Sequence, residues 1–177
     1  MAFAAEGPLY QIGHVVGDLD AAIAARLRTA RLGPWLVFRN VVLEGTCRGT
    51  PTRVTIDVGL AWRGEVQIEL IAVKSTTPSP YQRADGTPLA GLHHLAWLAE
   101  DLDATVAEAE ARGLVEVFRA ASPGTRVSYL EDPAEPGLLY EFIESPATVA
   151  MTGPAIAEAA AWDGRDPVRE IRLDPPG

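Results

Sequence analysis

The segments Gln11-Ile12-Gly13-His14-Val15-Val16 and Gly91-Leu92-His93-His94-Leu95-Ala96 begin two similar halves of the chain. Each is followed by an Asp-Leu-Asp sequence. Each half ends in an apolar run that contains one glutamate, Val66-Gln67-Ile68-Glu69-Leu70-Ile71 in the first and Leu138-Leu139-Tyr140-Glu141-Phe142-Ile143 in the second. Self-similarity at a spacing of roughly 70–80 residues is typical of a duplicated structural unit. The sequence therefore predicts two copies of one module.

Composition excludes several classes of protein. The 177 residues are 47% hydrophobic and carry a net charge of −9, so the chain can bury a core but repels phosphate backbones. We expect no nucleic-acid partner. Cys47 is the single cysteine, which rules out an internal disulfide. With neither a basic and apolar leader at the N-terminus nor an apolar run near the ~20 residues of a membrane span, the sequence predicts a cytoplasmic protein without a membrane partner.

Hydrophobic periodicity predicts the order β-α-β-β-β in each half. In module one, residues 9–74, an amphipathic helix capped by Asp18 or Asp20 follows the first strand, and strands near 35–43, 53–62 and 66–73 follow the helix. Residues 75–90 are rich in Pro, Thr, Ser and Gly and are predicted to link module one to module two, residues 91–145. We expect one α+β domain over residues 1–145. Residues 146–177 are predicted to add a short helix near 154–162 and an extended tail.

The duplication suggests a metal site. The two halves supply two histidines, His14 and His94, and two glutamates, Glu69 and Glu141. An unpaired carboxylate buried in an apolar strand costs several kcal/mol, so two at matching positions need a common partner. Two imidazoles and two carboxylates suit one octahedral divalent ion, with about two positions left for water or substrate. The ion could be Co, Ni, Zn, Mn or Fe; the rival interpretations are a buried ion-pair network and a fold that keeps relics of a site.

The repeat resembles the vicinal oxygen chelate superfamily, which includes glyoxalase I, methylmalonyl-CoA epimerase and extradiol dioxygenases. The resemblance rests on the β-α-β-β-β order, the Gly-Leu-His-His-Leu-Ala-Trp start of module two and its Tyr-Glu-Phe-Ile-Glu ending, and it spans about residues 9–145. The His-His-Leu-Ala-Trp segment is most similar to the epimerases. Membership implies two βαβββ modules that form a cupped mixed sheet around the metal, with ligands on the first and last strand of each module. It also implies a homodimer.

Carried over to this chain, the resemblance implies His14, Glu69, His94 and Glu141 as metal ligands. Gln67 shares a sheet face with Glu69, and epimerases can use Gln on this strand, so either residue could be the ligand. His93 is expected to point to the opposite face from His94, because side chains alternate along a strand.

Further candidates concern the substrate. Asp57 is a candidate base. Val54, Ile56 and Val58 are expected to pack on one face of their strand and Arg53, Thr55 and Asp57 to line the other, which the resemblance implies is the cavity; the alternative is an Asp paired with an Arg. Glu141 is expected to serve in catalysis as well as ligation. Substrate contacts are expected from Arg126, Tyr129, Trp97 and Gln67, although the first three could equally be ordinary strand or core residues.

The resemblance therefore implies a metal-dependent epimerase or isomerase that removes a proton next to the carbonyl group of a small acyl or keto compound. Three alternatives stay open: a glyoxalase-like lyase, an extradiol dioxygenase, and a non-catalytic binding protein of the bleomycin-resistance type. The dioxygenase is less favoured, since such an iron centre needs only two His and one carboxylate.

Overall fold

The computed structural model describes residues 3–83 and 85–171, which form nine β-strands and three α-helices after a short 3-10 helix, Ala4–Glu6. Module one contains β1 (Gln11–Val15), α1 (Leu19–Ala30), β2 (Trp35–Cys47), β3 (Thr50–Arg63) and β4 (Val66–Val73). Module two contains β5 (Gly91–Leu98), α2 (Leu102–Ala111), β6 (Val115–Ser122), β7 (Thr125–Glu131) and β8 (Leu139–Glu144). The chain continues with α3 (Pro146–Ala161) and β9 (Val168–Ile171). The predicted βαβββ order is confirmed in both modules.

Strands β1 to β8 form one curved mixed sheet in the order β3-β4-β1-β5-β8-β7-β6-β2. Because β2 pairs with β3 as well as with β6, the eight strands close into a barrel. The modules meet twice, through the antiparallel pairs β1–β5 and β2–β6. The predicted α+β class with a cupped sheet is therefore confirmed, and the first strands of the two modules lie side by side in its wall.

The barrel buries a core on each side of its wall. The inner core is built from alternate residues of the strands, among them Val15, Ile56, Val127 and Ile143. On the outside, α1 packs its Leu19 and Ile23 against module one, and α2 packs its counterparts against module two. Many strands are consequently buried on both faces, so hydrophobicity alone does not show which of their residues point inward.

The two outer helices begin with the same cap. The Asp18 carboxylate accepts a hydrogen bond from the Ala21 N–H at 2.9 Å, and the Asp101 carboxylate accepts one from the Ala104 N–H at 3.0 Å. These bonds satisfy N–H groups that have no partner within the helix. The two caps are 83 residues apart, and this spacing gives the structural register of the repeat.

The C-terminal segment is more ordered than predicted. Helix α3 begins eight residues before the predicted start, because Ser145 caps it and Pro146 occupies its first turn. It packs on β3. Part of the predicted extended tail forms β9, which pairs parallel with the start of β2. The remainder of that tail, residues 172–177, lies outside the described residues.

None of the helices in the ranges 3–83 and 85–171 has the length and apolarity required to cross a membrane.

Candidate metal centre

Three of the four predicted ligands meet inside the barrel. The His94 Nε2 atom lies 3.0 Å from the Oε2 atom of Glu141 and 3.2 Å from the Oε2 atom of Glu69. The ligand atoms of these residues all lie within 4.8 Å of one another. His94 is fully buried and Glu141 is 3% exposed. The strands β4, β5 and β8 thus deliver one imidazole and two carboxylates to a single point.

Gln11 supplies a fourth atom to this cluster. Its Oε1 lies 3.0 Å from the His94 Nε2. In the parallel pairs, Glu69 stands opposite Gly13 and Glu141 stands opposite Ala96, so Gln11 occupies in module one the position that His94 occupies in module two. This correspondence has the 83-residue spacing of the helix caps, a signal in the sequence that would have identified Gln11.

His14 does not join the cluster, contrary to prediction. The sequence alignment of His14 with His94 uses a spacing of 80 residues, three short of the structural one, and an odd shift moves a strand residue to the other face of the sheet. Gln11, Gly13 and Val15 point into the barrel, whereas His14 is half-buried on the α1 side. Burial, followed by the charge of Arg26 in α1, lowers the pKa of His14.

Gly13 makes room for the His94 ring. A Cβ atom at position 13 would lie 1.9 Å from Cε1 and 2.1 Å from Nε2 of His94. The ring therefore lies directly across the backbone of β1, where only a residue without a side chain fits.

The cluster fits a divalent cation. The Oε2 atoms of Glu69 and Glu141 are buried and have no hydrogen-bond donor among the described residues. One Nε2–H of His94 cannot point at three oxygens at once, so the convergence leaves acceptors unpaired. An ion would satisfy all of them. Two carboxylates neutralise its charge, and one imidazole and one amide oxygen complete a set of four donors.

Charge and burial oppose one another at His94. Burial would lower the pKa of His94, but Glu141 and then Glu69 reverse this effect and raise it to about 9. Burial raises the pKa of Glu69. The raised pKa favours the protonated form of His94 between the two carboxylates, and a bound cation would take the place of that proton.

His93 points to the same side as His94, so the predicted alternation is wrong at this position. The β1–β5 pairing shifts between Gly13 and His14, which leaves His93 as an extra residue, a β-bulge in β5. A bulge interrupts the alternation of side chains. The two rings are in contact, with 2.9 Å between the Nδ1 atoms of His93 and His94.

The contacts of His93 determine which nitrogen of His94 would offer its lone pair to a metal ion in the cluster. The Nε2 of His93 lies 2.8 Å from the Pro80 carbonyl oxygen, which can only accept a hydrogen bond. His93 therefore carries its proton on Nε2 and accepts at Nδ1 from the Nδ1–H of His94. Burial, and then the charge of His94, lowers the pKa of His93 to about 3, which keeps this ring neutral. Such a partner is typical of histidines that bind metals.

Asp57 lies outside the barrel, so its predicted place in the cavity is wrong. Val54, Ile56 and Val58 form part of the inner core, which is the reverse of the predicted arrangement of β3. The Asp57 carboxylate accepts from the Asn40 N–H at 2.9 Å and from Arg39 at 3.4 Å. Asn40 has a φ of 54° where the β2–β3 register shifts, so Asp57 stabilises a bulge. The Asp–Arg alternative matches this geometry.

The predicted substrate contacts divide between the two faces. Tyr129 is buried inside, with its ring centroid 5.2 Å from that of His94, and Gln67 is also buried inside, beside Gln11. Arg126 and Trp97 point outward. Arg126 pairs with Asp103 of α2 at 2.8 Å, and Trp97 stacks on Tyr140. Only Tyr129 and Gln67 therefore lie near the cluster.

The segment between the modules covers one end of the site. Tyr81 is 1% exposed, and its hydroxyl donates to the Tyr129 hydroxyl at 3.1 Å. Burial, and then the charge of Glu141, raises the pKa of both tyrosines. Beside them, an open groove of about 490 Å³ is lined by Cys47, Arg83, Leu92 and His93 among others. His93 lines this groove and also contacts His94 of the cluster.

The structure is thus a barrel of two βαβββ modules with a cluster of two carboxylates and one imidazole inside it. The family model of the Glyoxalase/Bleomycin resistance protein/Dioxygenase superfamily matches residues 10–129. The chain belongs to this superfamily. No curated protein matches the sequence significantly.

Several solved structures share the fold. A hypothetical protein from Bacillus halodurans is 21% identical, with a TM-score of 0.54 over 78% of this chain and 94% of that chain. A methylmalonyl-CoA epimerase in complex with methylmalonyl-CoA and ammonium is 21% identical, with a TM-score of 0.52 over 78% and 94%. Methylmalonyl-CoA epimerase from Mycobacterium tuberculosis is 19% identical, with a TM-score of 0.51 over 81% and 91%. The TM-scores establish a common fold, and at identities this low the similarity establishes only the fold.

Proposed function

We propose that this protein is a metal-dependent enzyme that removes a proton from the carbon next to a carbonyl group in a small acyl or keto compound, as an epimerase or isomerase does. The observation that carries the proposal is the convergence of the Glu69, Glu141 and Gln11 oxygens on the His94 Nε2 inside the barrel. The complexes of similar epimerases with acyl-CoA compounds support an acyl substrate.

The chain provides four donors, which leaves about two positions of an octahedral ion open. A divalent ion bound there would polarise a carbonyl oxygen and make the neighbouring carbon more acidic. The cluster is buried in an inner core with many apolar residues, and burial of this kind strengthens electrostatic interactions. The same apolar residues would hold the hydrocarbon part of a substrate.

The proton acceptor must be a group on the inner face, which excludes Asp57. Glu141 is our candidate: one of its two carboxylate oxygens would bind the ion, which leaves the other to accept a proton, and Tyr129 stands opposite Glu141 in the β7–β8 pair. A carboxylate at this position can accept a proton from a substrate carbon, and a tyrosine hydroxyl beside it can orient the substrate oxygen. Glu69 is the symmetry-related carboxylate.

The first test is metal content. The purified protein should hold near one equivalent of a divalent metal, or take it up on supplementation. His94→Ala should abolish this binding, and His14→Ala, on the outer face, is the matched control. A wild-type protein that takes up no metal would overturn the proposal and would favour a non-catalytic binding protein.

The second test is proton exchange. Acyl-CoA thioesters and keto acids are incubated with the metal-loaded protein in deuterated water, and loss of the substrate proton is followed by NMR. Glu141→Gln should lower the exchange rate by about 10²–10⁴-fold, whereas Asp57→Asn should leave it unchanged. Exchange that survives Glu141→Gln but not Glu69→Gln would transfer the role of base to Glu69. Turnover without exchange would favour a lyase or an oxygenase.

A further inference from the structure

We infer that Gln67, Tyr10 and Thr152 are positioning residues that hold the Gln11 amide with its oxygen toward the proposed metal centre, so that helix α3 is part of the site. This inference rests on the proposed metal site. It concerns residues that do not touch the ion and a segment that belongs to neither module.

The four side chains form a continuous series of hydrogen bonds, which we call the α3 relay. Gln11 Nε2 donates to Gln67 Oε1 at 2.5 Å, and Gln67 Nε2 donates to the Tyr10 hydroxyl at 3.1 Å. The Tyr10 hydroxyl lies 3.2 Å from Thr152 Oγ1. Thr152 in turn donates to the main-chain carbonyl of Thr148 at 2.8 Å. The relay thus runs from α3 to the ligand on β1.

The direction of every bond is fixed by its last acceptor. The Thr148 carbonyl can only accept, so the single Thr152 proton is used there and the Thr152 oxygen must accept from Tyr10. The Tyr10 oxygen then accepts from the amide nitrogen of Gln67, which leaves the Gln67 oxygen to accept from the amide nitrogen of Gln11. The Gln11 oxygen is therefore the atom that faces the cluster.

This orientation matters because the two ends of an amide are opposite in chemistry. The oxygen of a glutamine is a metal ligand, whereas its NH₂ group donates and would repel a cation. A reversed Gln11 would replace an attractive contact with a repulsive one. Gln11 and Gln67 are 3% and 2% exposed, so water does not compete with the relay at this end.

The relay supplies in module one what His93 and Pro80 supply in module two. In each case a main-chain carbonyl outside the strands is the terminal acceptor, and a lone pair on the ligand is directed at the cluster. Partners of this kind typically change metal affinity by about 10–100-fold when removed.

The experiment compares Co²⁺ affinity in the full-length chain. Thr152→Val removes the hydroxyl but keeps the branched shape, which permits the relay to reverse, and Tyr10→Phe removes the central hydroxyl. Each should weaken Co²⁺ binding about tenfold or more. The double variant should bind no more weakly than Tyr10→Phe alone, because Thr152 acts only through Tyr10.

Two variants control for side effects. Thr29→Val removes the same kind of hydrogen bond, Thr29 hydroxyl to Ala25 carbonyl, from exposed α1. Tyr140→Phe removes a hydroxyl on the outer face, where Tyr140 stacks on Trp97. Both should bind Co²⁺ as tightly as the wild type, and thermal melting should show all variants folded.

The outcomes separate the two ideas. A wild type that binds one equivalent of Co²⁺, with Tyr10→Phe and Thr152→Val binding equally well, overturns the relay and leaves the proposed function standing. Additive losses in the double variant also overturn it, since they would mean independent effects. A wild type that binds no Co²⁺ refutes the proposed metal site and the relay together.

Discussion

Replacement of Gly13 by alanine should abolish metal binding while the protein stays folded. The added Cβ would lie 1.9 Å from the His94 Cε1, whereas an ordinary contact begins at 3.4 Å, so the ring must move by about 1.5 Å. Metal sites tolerate ligand displacements of about 0.2 Å. The expected loss of affinity is therefore at least about 100-fold, at the upper end of the range for perturbed ligand geometry.

The same clash should cost stability. Overpacking of a core by one methyl group typically costs about 1–3 kcal/mol. In a chain of this size that corresponds to a drop of roughly 2–12 °C in melting temperature. A larger loss would mean that β1 itself had moved.

The assay is titration with Co²⁺, together with thermal melting of the metal-free protein. Gly17→Ala is the matched control, because a Cβ there meets no atom within 4 Å. Wild-type affinity in Gly13→Ala would refute the reasoning, since it would mean that the His94 ring does not need its place across β1.

Three further outcomes are expected. His93→Phe should weaken Co²⁺ binding about 10–100-fold, because the Nδ1–H of His94 loses its acceptor; equal affinity in titration would remove His93 from the site. Metal affinity should rise roughly tenfold per pH unit as the pH increases toward 9, because the raised pKa of His94, about 9, means that the ion must displace a proton; a flat affinity between about pH 6 and about pH 8 would contradict this. Truncation after Ser145 removes α3 and β9 and should lower both the melting temperature and Co²⁺ affinity; a truncated chain unchanged in melting temperature, affinity and mass in solution would show that the segment is dispensable.

The mass measurement in the last experiment also bears on the dimer implied by the resemblance, which stays a prediction. The oligomeric state of the full-length chain, by sedimentation or light scattering, checks it. A monomer at micromolar concentration would contradict the expectation.

Much of the architecture could be predicted from the sequence. The order of strands and helices is local information: the Asp-Leu-Asp caps, the periodic Leu19 and Ile23, and the glycine and proline residues between strands each act within a few positions. Strand β4 was predicted with its observed bounds, Val66–Val73. The duplication also predicts that His94, Glu69 and Glu141 belong to one site, because buried carboxylates at matching positions need a common partner.

The face of the sheet that each strand residue occupies depends on the tertiary structure. Side chains alternate, so one bulge or a shift of one residue reverses the assignment. The bulge at His93 turns that ring inward, and the 83-residue register places Gln11 rather than His14 in the cluster. Asp57 lies outside because Val54, Ile56 and Val58 occupy the inner face of β3. The hydrogen bonds that Pro80 and Thr152 accept join residues far apart in sequence, and no local pattern encodes them. The modules and the residue types of the cluster could be predicted from the sequence, because they depend on residue type and short-range order. Its fourth donor and its supports followed only from strand register and from where the chain places its linker and last helix.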